Sequence, residues 1–174
     1  MNDWFVKKEF NLFKNVKEYV DDWSAHVDDD NWVYDPWQAP GTRSIKIDIG
    51  DELHNKIKKY IKLPLYNEWY IWDFMSAKDL LIHKDSNSTG DYRSIAFIIP
   101  IEGIFENQIY KDDEKTLIDS VVYGPNECLI LNNSRYFHGG KVLSCTRRTI
   151  SCWVDFKETD STKTLKQMIE EHEI

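Results

Sequence analysis

Apolar and polar positions along this chain follow two periods, and the change between them marks its organisation. Phe10, Phe13, Val16, Val20 and Trp23 recur at roughly helical spacing and predict a helix over about 10–23. Asp28, Asp29 and Asp30 interrupt it, and Pro36, Pro40 and Gly41 mark turns. Leu53, Ile57, Tyr60 and Ile61 share one face of a second predicted helix, with Asp51 placed to cap it and Pro64 to stop it. Leu165, Met168 and Ile169 form the stripe of a third, over about 160–173, with Ser161 or Thr162 where a cap belongs.

Between the second and third helices the period drops to two. Residues 43–49 alternate, with Ile45, Ile47 and Ile49 on one side. Further strands are predicted over 66–75, 79–83, 93–101, 118–123, 127–132 and 147–156, separated by loops rich in Gly, Asn, Asp and Ser. Many short strands at close spacing imply a sandwich or barrel rather than βαβ units. The expected fold is mainly β with flanking helices: a single domain over 1–174, with a jelly-roll core over about 43–156. The helices of both ends would pack on its outer face. Residues 1–42 are dense in aromatics but only loosely patterned.

Composition narrows the class. The 174 residues carry 30 Asp+Glu against 22 Lys+Arg, a formal charge of −8. That balance opposes a nucleic-acid face, which needs clustered cations. No apolar run approaches the ~18 residues needed to cross a bilayer. Three cysteines and no signal-peptide pattern suggest a reducing, cytoplasmic compartment. Cys128, Cys145 and Cys152 lack zinc spacing, and Cys128 and Cys152 read as small core residues. Neither a Gly-x-Ser-x-Gly elbow nor a Gly-rich phosphate loop is present.

The chemistry concentrates in few residues. His83-Lys84-Asp85 ends an apolar strand, and in an extended chain residues i and i+2 face the same side. His138 follows 55 residues later, after the apolar run Cys128–Leu131 and just before Gly139-Gly140. Two imidazoles and one carboxylate are the ligand set of the facial triad that holds non-haem Fe(II). Arg147 and Arg148 open the last long strand. The other histidines have plainer readings: His26 in a solvated acidic turn, His54 exposed off the apolar face of its helix, His172 near a helix C-terminus.

This order of His-x-Asp, a distant His and an Arg about ten residues on resembles the Fe(II)/2-oxoglutarate-dependent dioxygenase superfamily. The resemblance covers roughly residues 66–156, including the aromatic strand ahead of the first His and the Leu-Ile-Leu-Asn-Asn lead into the second. It implies a double-stranded β-helix core. It also implies Fe(II) on His83, Asp85 and His138, with 2-oxoglutarate as cosubstrate and O2 as oxidant. A basic residue on the last strand would pair with the distal carboxylate of 2-oxoglutarate. Parity with Thr149 and Trp153 favours Arg147 for that role, and a ten-residue spacing from His138 favours Arg148. Phe74 stands where the resembling families often carry a Tyr, so Tyr70 or Trp72 would have to supply a donor to the cosubstrate. Asn133 and Arg93 are further candidates for the pocket wall, and the polar 85–93 loop suits a flap.

The resemblance implies oxidation of an amino-acid, peptide or small-metabolite substrate, with release of succinate and CO2. A carboxylate at Asp85 favours hydroxylation over halogenation, where the family has a small residue instead. Trp153 or Val154, rather than a further Arg, opposes the nucleic-acid demethylase branch. Two other classes fit the strand pattern: a non-enzymatic jelly-roll binding module, and a cupin-type metal enzyme that needs no 2-oxoglutarate.

Overall fold

The structure, a computed structural model, describes residues 3–34, 41–74, 79–85, 95–133, 135–144, 147–154 and 164–172. Arg93, Cys145, Ser161, Thr162 and the loop beyond Asp85 lie outside them.

Two antiparallel sheets face one another. The larger has the strand order β1-β9-β6-β11-β4-β3-β2, built from Phe5–Glu9 (β1), Val33–Tyr34 (β2), Thr42–Ile47 (β3), Trp69–Phe74 (β4), Ala96–Glu102 (β6), Glu127–Leu131 (β9) and Arg148–Trp153 (β11). The smaller has the order β5-β10-β7-β8, built from Asp79–His83 (β5), Phe105–Tyr110 (β7), Leu117–Tyr123 (β8) and Phe137–Val142 (β10). The helices are Phe13–Ser24 (α1), Gly50–Ile61 (α2) and Leu165–His172 (α3). None of the described helices is long and apolar enough to cross a membrane. The strand order alternates between the sheets in the manner of a jelly roll, which is the double-stranded β-helix architecture expected from the sequence.

Period-two alternation sorts the large sheet's side chains into two layers. On its outer face Ile45, Ile47, Trp69, Ile71, Phe97, Ile99, Ile150 and Cys152 pack with Val16 and Val20 of α1, Ile57 and Ile61 of α2, and Leu165, Met168 and Ile169 of α3. Each fully buried aliphatic side chain here is worth about 1.5–3 kcal/mol of transfer free energy. On the inner face Phe74, Leu129 and Leu131 meet Phe105, Ile109 and Tyr123 of the small sheet. That inner layer does not fill the space between the sheets, and the remainder is the cavity described below.

Several local expectations change. His54 is buried, at 5% exposure, not solvent-facing. With Ile57 and Ile61 it forms the inward stripe of α2, and its Nδ1 accepts the Trp69 indole N–H at 3.2 Å. Tyr60, expected on that stripe, is 36% exposed instead. Asp51 does not cap α2. The N-cap is Ile49, and Asp48 Oδ1 accepts the Gly50 N–H at 2.8 Å. Gly50 sits there at φ 72°, a conformation that glycine enters without a Cβ clash. The helix ends before Pro64, at Lys62, in the left-handed region with its N–H on the Lys58 carbonyl. In α3 the cap interactions are made by Thr164: its Oγ1 accepts the Gln167 N–H at 3.2 Å, and Gln167 Oε1 accepts the Thr164 N–H at 2.8 Å.

Candidate metal centre

β5 and β10 are antiparallel neighbours, and their register sets His83 directly across from His138. The ring centroids are 4.4 Å apart. Asp85, two residues past His83, turns its Oδ1 to within 3.1 Å of His83 Nε2 and 3.9 Å of His138 Nε2. One ligand atom from each residue lies within 4.8 Å of the other two, the spacing of atoms that can share one ion. Two small residues make this approach feasible. A Cβ on Gly139 would stand 3.3 Å from the Leu80 carbonyl of β5, and one on Gly140 only 3.0 Å from the Glu106 carbonyl of β7.

A second layer of contacts aims the ligands. His83 Nδ1 lies 2.7 Å from the Leu81 carbonyl and His138 Nδ1 3.2 Å from the Tyr136 carbonyl. Donation by both Nδ1–H groups turns both Nε2 atoms toward Asp85; without a metal a proton on Nε2 bridges to the carboxylate, and a bound metal would take that proton's place. Asn133 donates through Nδ2 to Asp85 Oδ2, and the Asp85 N–H is held by the Asn133 carbonyl at 3.1 Å. One carboxylate oxygen is thereby occupied and the other presented. Burial works against the Asp85 anion, but the His83 hydrogen bond and the fields of His138 and His83 hold its carboxyl below the ordinary range. Burial, with His83 beside it, pushes the His138 imidazole down against the pull of Asp85. Both shifts favour the forms that bind a metal: carboxylate and neutral imidazole.

The two arginines separate completely. Arg148 projects to the helix side of β11, where its Nε and Nη2 donate to the Asp73 carboxylate at 3.2 and 3.1 Å. Asp73 also accepts from Arg43. Arg147 projects inward and is 5% exposed. Its guanidinium is stacked between Phe74 and Phe105, 3.9 Å from each ring centroid. Burial lowers its pKa to about 10, partly offset by Tyr123, so it stays a cation at neutral pH. Its Nε and Nη1 are buried without a hydrogen-bond partner. A buried cation with unused donors is costly unless an anion completes it.

His83, Asp85, His138 and Arg147 line one cavity of about 600 Å³. Tyr70, Trp72, Thr149 and Asn133 line it too, whereas Arg148 does not. Trp72 donates its indole N–H to Ser151 Oγ at 3.0 Å, and Tyr70 stands edge-on to Trp153 with centroids 5.2 Å apart. Lining or flanking residues that escaped the sequence reading include Phe105, Asn107, Tyr123, Ser44 and Ser151. Tyr123 donates to Asn107 Oδ1 at 2.8 Å and reaches Arg147. Its phenol, pushed up to about 12 mainly by burial, puts beside the arginine a hydroxyl that Phe74 cannot supply. Phe105, Asn107 and Ile109 do alternate, but the mixed run FENQIY has too little apolar character to read as a strand.

No protein-family model matches the sequence, and neither does any curated protein. Solved structures do share its architecture. A prolyl-4-hydroxylase from Pseudomonas putida superimposes with a TM-score of 0.61 at 12% identity, covering 89% of this chain and 94% of that one. OsALKBH1 gives 0.60 at 10% identity over 88% of this chain and 99% of the other. HygX from Streptomyces hygroscopicus, solved with nickel, 2-oxoglutarate and hygromycin B, gives 0.58 at 14% identity over 88% and 83%. The chain therefore has the double-stranded β-helix fold shared by Fe(II)/2-oxoglutarate oxygenases.

Proposed function

We propose that the protein is an Fe(II)- and 2-oxoglutarate-dependent oxygenase, a hydroxylase of an amino-acid, peptide or small-metabolite substrate. His83, Asp85 and His138 would hold the metal, and Arg147 would bind the distal carboxylate of 2-oxoglutarate. The donor set fits such an ion, with two imidazoles and one carboxylate oxygen converging. When bound, iron and the keto acid supply the activation of O2, with succinate and CO2 released and the substrate hydroxylated.

The chain's own residues do the positioning. The Leu81 and Tyr136 carbonyls orient the imidazoles, and Asn133 orients the carboxylate. Arg147, flanked by two aromatic faces, offers donors whose direction is set before a ligand arrives. Tyr123, rather than Tyr70 or Trp72, would add a neutral hydrogen bond at the same end by turning its O–H from Asn107 Oδ1 to the carboxylate. The observation that carries the reading is this buried guanidinium, with Nε and Nη1 unused, in the same cavity as a His–Asp–His group. A cupin-type metal enzyme without the cosubstrate, or a binding module without a metal, leaves that cation unexplained.

The test is calorimetric titration of nickel-loaded protein with 2-oxoglutarate. Charge-assisted hydrogen bonds are worth ~1.5–3 kcal/mol each, so Arg147→Ala should weaken binding at least about tenfold. Arg148→Ala should leave it unchanged, because that side chain faces Asp73 on the opposite side of the sheet. Equal losses in both variants, or a loss only in Arg148→Ala, would refute the assignment.

A further inference from the structure

Beyond the metal ligands and Arg147, the cavity continues along the inner face of the large sheet. Thr149, Ser151 and Trp153 of β11 run beside Trp72 and Tyr70 of β4, with Ser44 of β3 at the edge. Strand parity puts all six on the same face. Leu80, Ala96, Ile98 and Leu131 supply the rest of the nearby lining. The wall thus combines three aromatic side chains with four hydroxyl groups.

Its charge is equally informative. Among the described lining residues the only full charges besides the metal-site Asp85 and Arg147 belong to Lys84. That lysine is already engaged, 2.9 Å from Asp112 Oδ1 and over the Phe137 ring at 4.4 Å. If a divalent metal and dianionic 2-oxoglutarate are bound, Asp85 and Arg147 complete a balanced set. The described wall then holds neither a carboxylate for a cationic substrate nor a spare cation for an anionic one. Aromatic faces attract cations only modestly. Stripping an ammonium of water without a counter-ion costs more than that attraction returns, so desolvation dominates.

We propose that the substrate, in the oxygenase reading on which this inference rests, is an uncharged molecule presenting a flat or ring-shaped apolar face. Tyr70, Trp72 and Trp153 seat that face, and the Ser44, Thr149 and Ser151 hydroxyls hydrogen-bond its polar edge. Tyr70 and Trp72 therefore belong to the substrate rather than to the cosubstrate. Trp153 determines specificity by offering a face where a basic residue would instead recruit an anion.

Three indole probes of matched shape test it: neutral indole-3-acetamide, anionic indole-3-acetate and cationic tryptamine. Each is titrated by calorimetry into protein already loaded with nickel and 2-oxoglutarate. The acetamide should bind at least tenfold more tightly than either charged probe. Trp153→Ala should weaken it at least tenfold, and Trp153→Phe should restore most of the loss, while nickel and 2-oxoglutarate affinities stay at wild-type values in both variants. Preference for a charged probe overturns the inference alone, as does indifference to Trp153→Ala or absence of binding by all three. Failure of nickel or 2-oxoglutarate to load overturns the oxygenase reading itself, and the inference with it.

Discussion

Asn133 decides which oxygen Asp85 presents. It is 2% exposed, and its Nδ2 and backbone carbonyl both engage Asp85. Contacts of this kind typically govern metal affinity by 10–100-fold. Asn133→Ala should therefore weaken nickel or cobalt binding by about that factor while the folded structure persists; an unchanged affinity would remove Asn133 from the site. His54 makes a separate prediction, about stability. Burial, and then Lys58, lower its pKa from the ordinary ~6.5, against the weaker opposing effect of Asp51. The native state thus binds this proton less readily than the unfolded chain does. His54's contribution is complete above pH ~6.5 and is lost as the pH falls through that value toward the lower native pKa. Urea unfolding across this range should show a steeper loss of stability on acidification for the wild type than for His54→Gln. Parallel slopes would contradict the buried neutral imidazole.

At the scale of elements, the site depends on how closely β10 lies between β5 and β7. Gly140→Ala places a Cβ 3.0 Å from the Glu106 carbonyl, and backbone must move to admit it. Such overpacking costs ~1–3 kcal/mol, and here it also displaces the strand that carries His138. Lower stability and weaker metal binding should appear together. Gly124→Ala, whose new Cβ meets nothing nearer than 3.7 Å, should change neither. The elements also show what sequence pattern conveys. β3, β6, β9 and β11 were legible because alternating or continuous apolar residues, Ile45 and Ile47 or Ile99 and Ile101, answer to the helix-side core. β7 and β10 were not. Asn107 and Gln108 are polar, Gly139 and Gly140 carry no side chain, and both strands line the cavity or its supports rather than the main core. β1 was hidden in the aromatic N-terminal region, where its pairing with β9 is a long-range fact that no local period announces. His54 was misplaced for a similar reason: its burial depends on the Trp69 indole, a partner 15 residues away.

Across the whole molecule, the large sheet divides two tasks by parity. Its outer residues hold the helices, and its inner residues face the small sheet and the cavity. Arg147 and Arg148, adjacent in sequence, fall on opposite sides of that division. His83, Asp85 and His138 stood out as candidates because the ligand set implied by the resemblance uses few residue types, and strand register brings these three together. Tyr123, Asn107 and Asn133's grip on Asp85 depend on the meeting of distant strands, which spacing does not encode. Asp3 shows the same dependence at the largest separation. It accepts from Tyr136 at 2.7 Å, Arg135 at 2.9 Å and the Leu165 N–H at 2.6 Å, tying β1 and α3 to the segment that leads into His138. The central claim is that this assembled cavity binds Fe(II) and 2-oxoglutarate together, and anaerobic absorption spectroscopy tests it most directly. Addition of both to the wild-type protein should produce a visible metal-to-ligand charge-transfer band that is absent with either alone and lost in His83→Ala. A wild-type protein that shows no such band, or a band that persists in His83→Ala, would contradict the account.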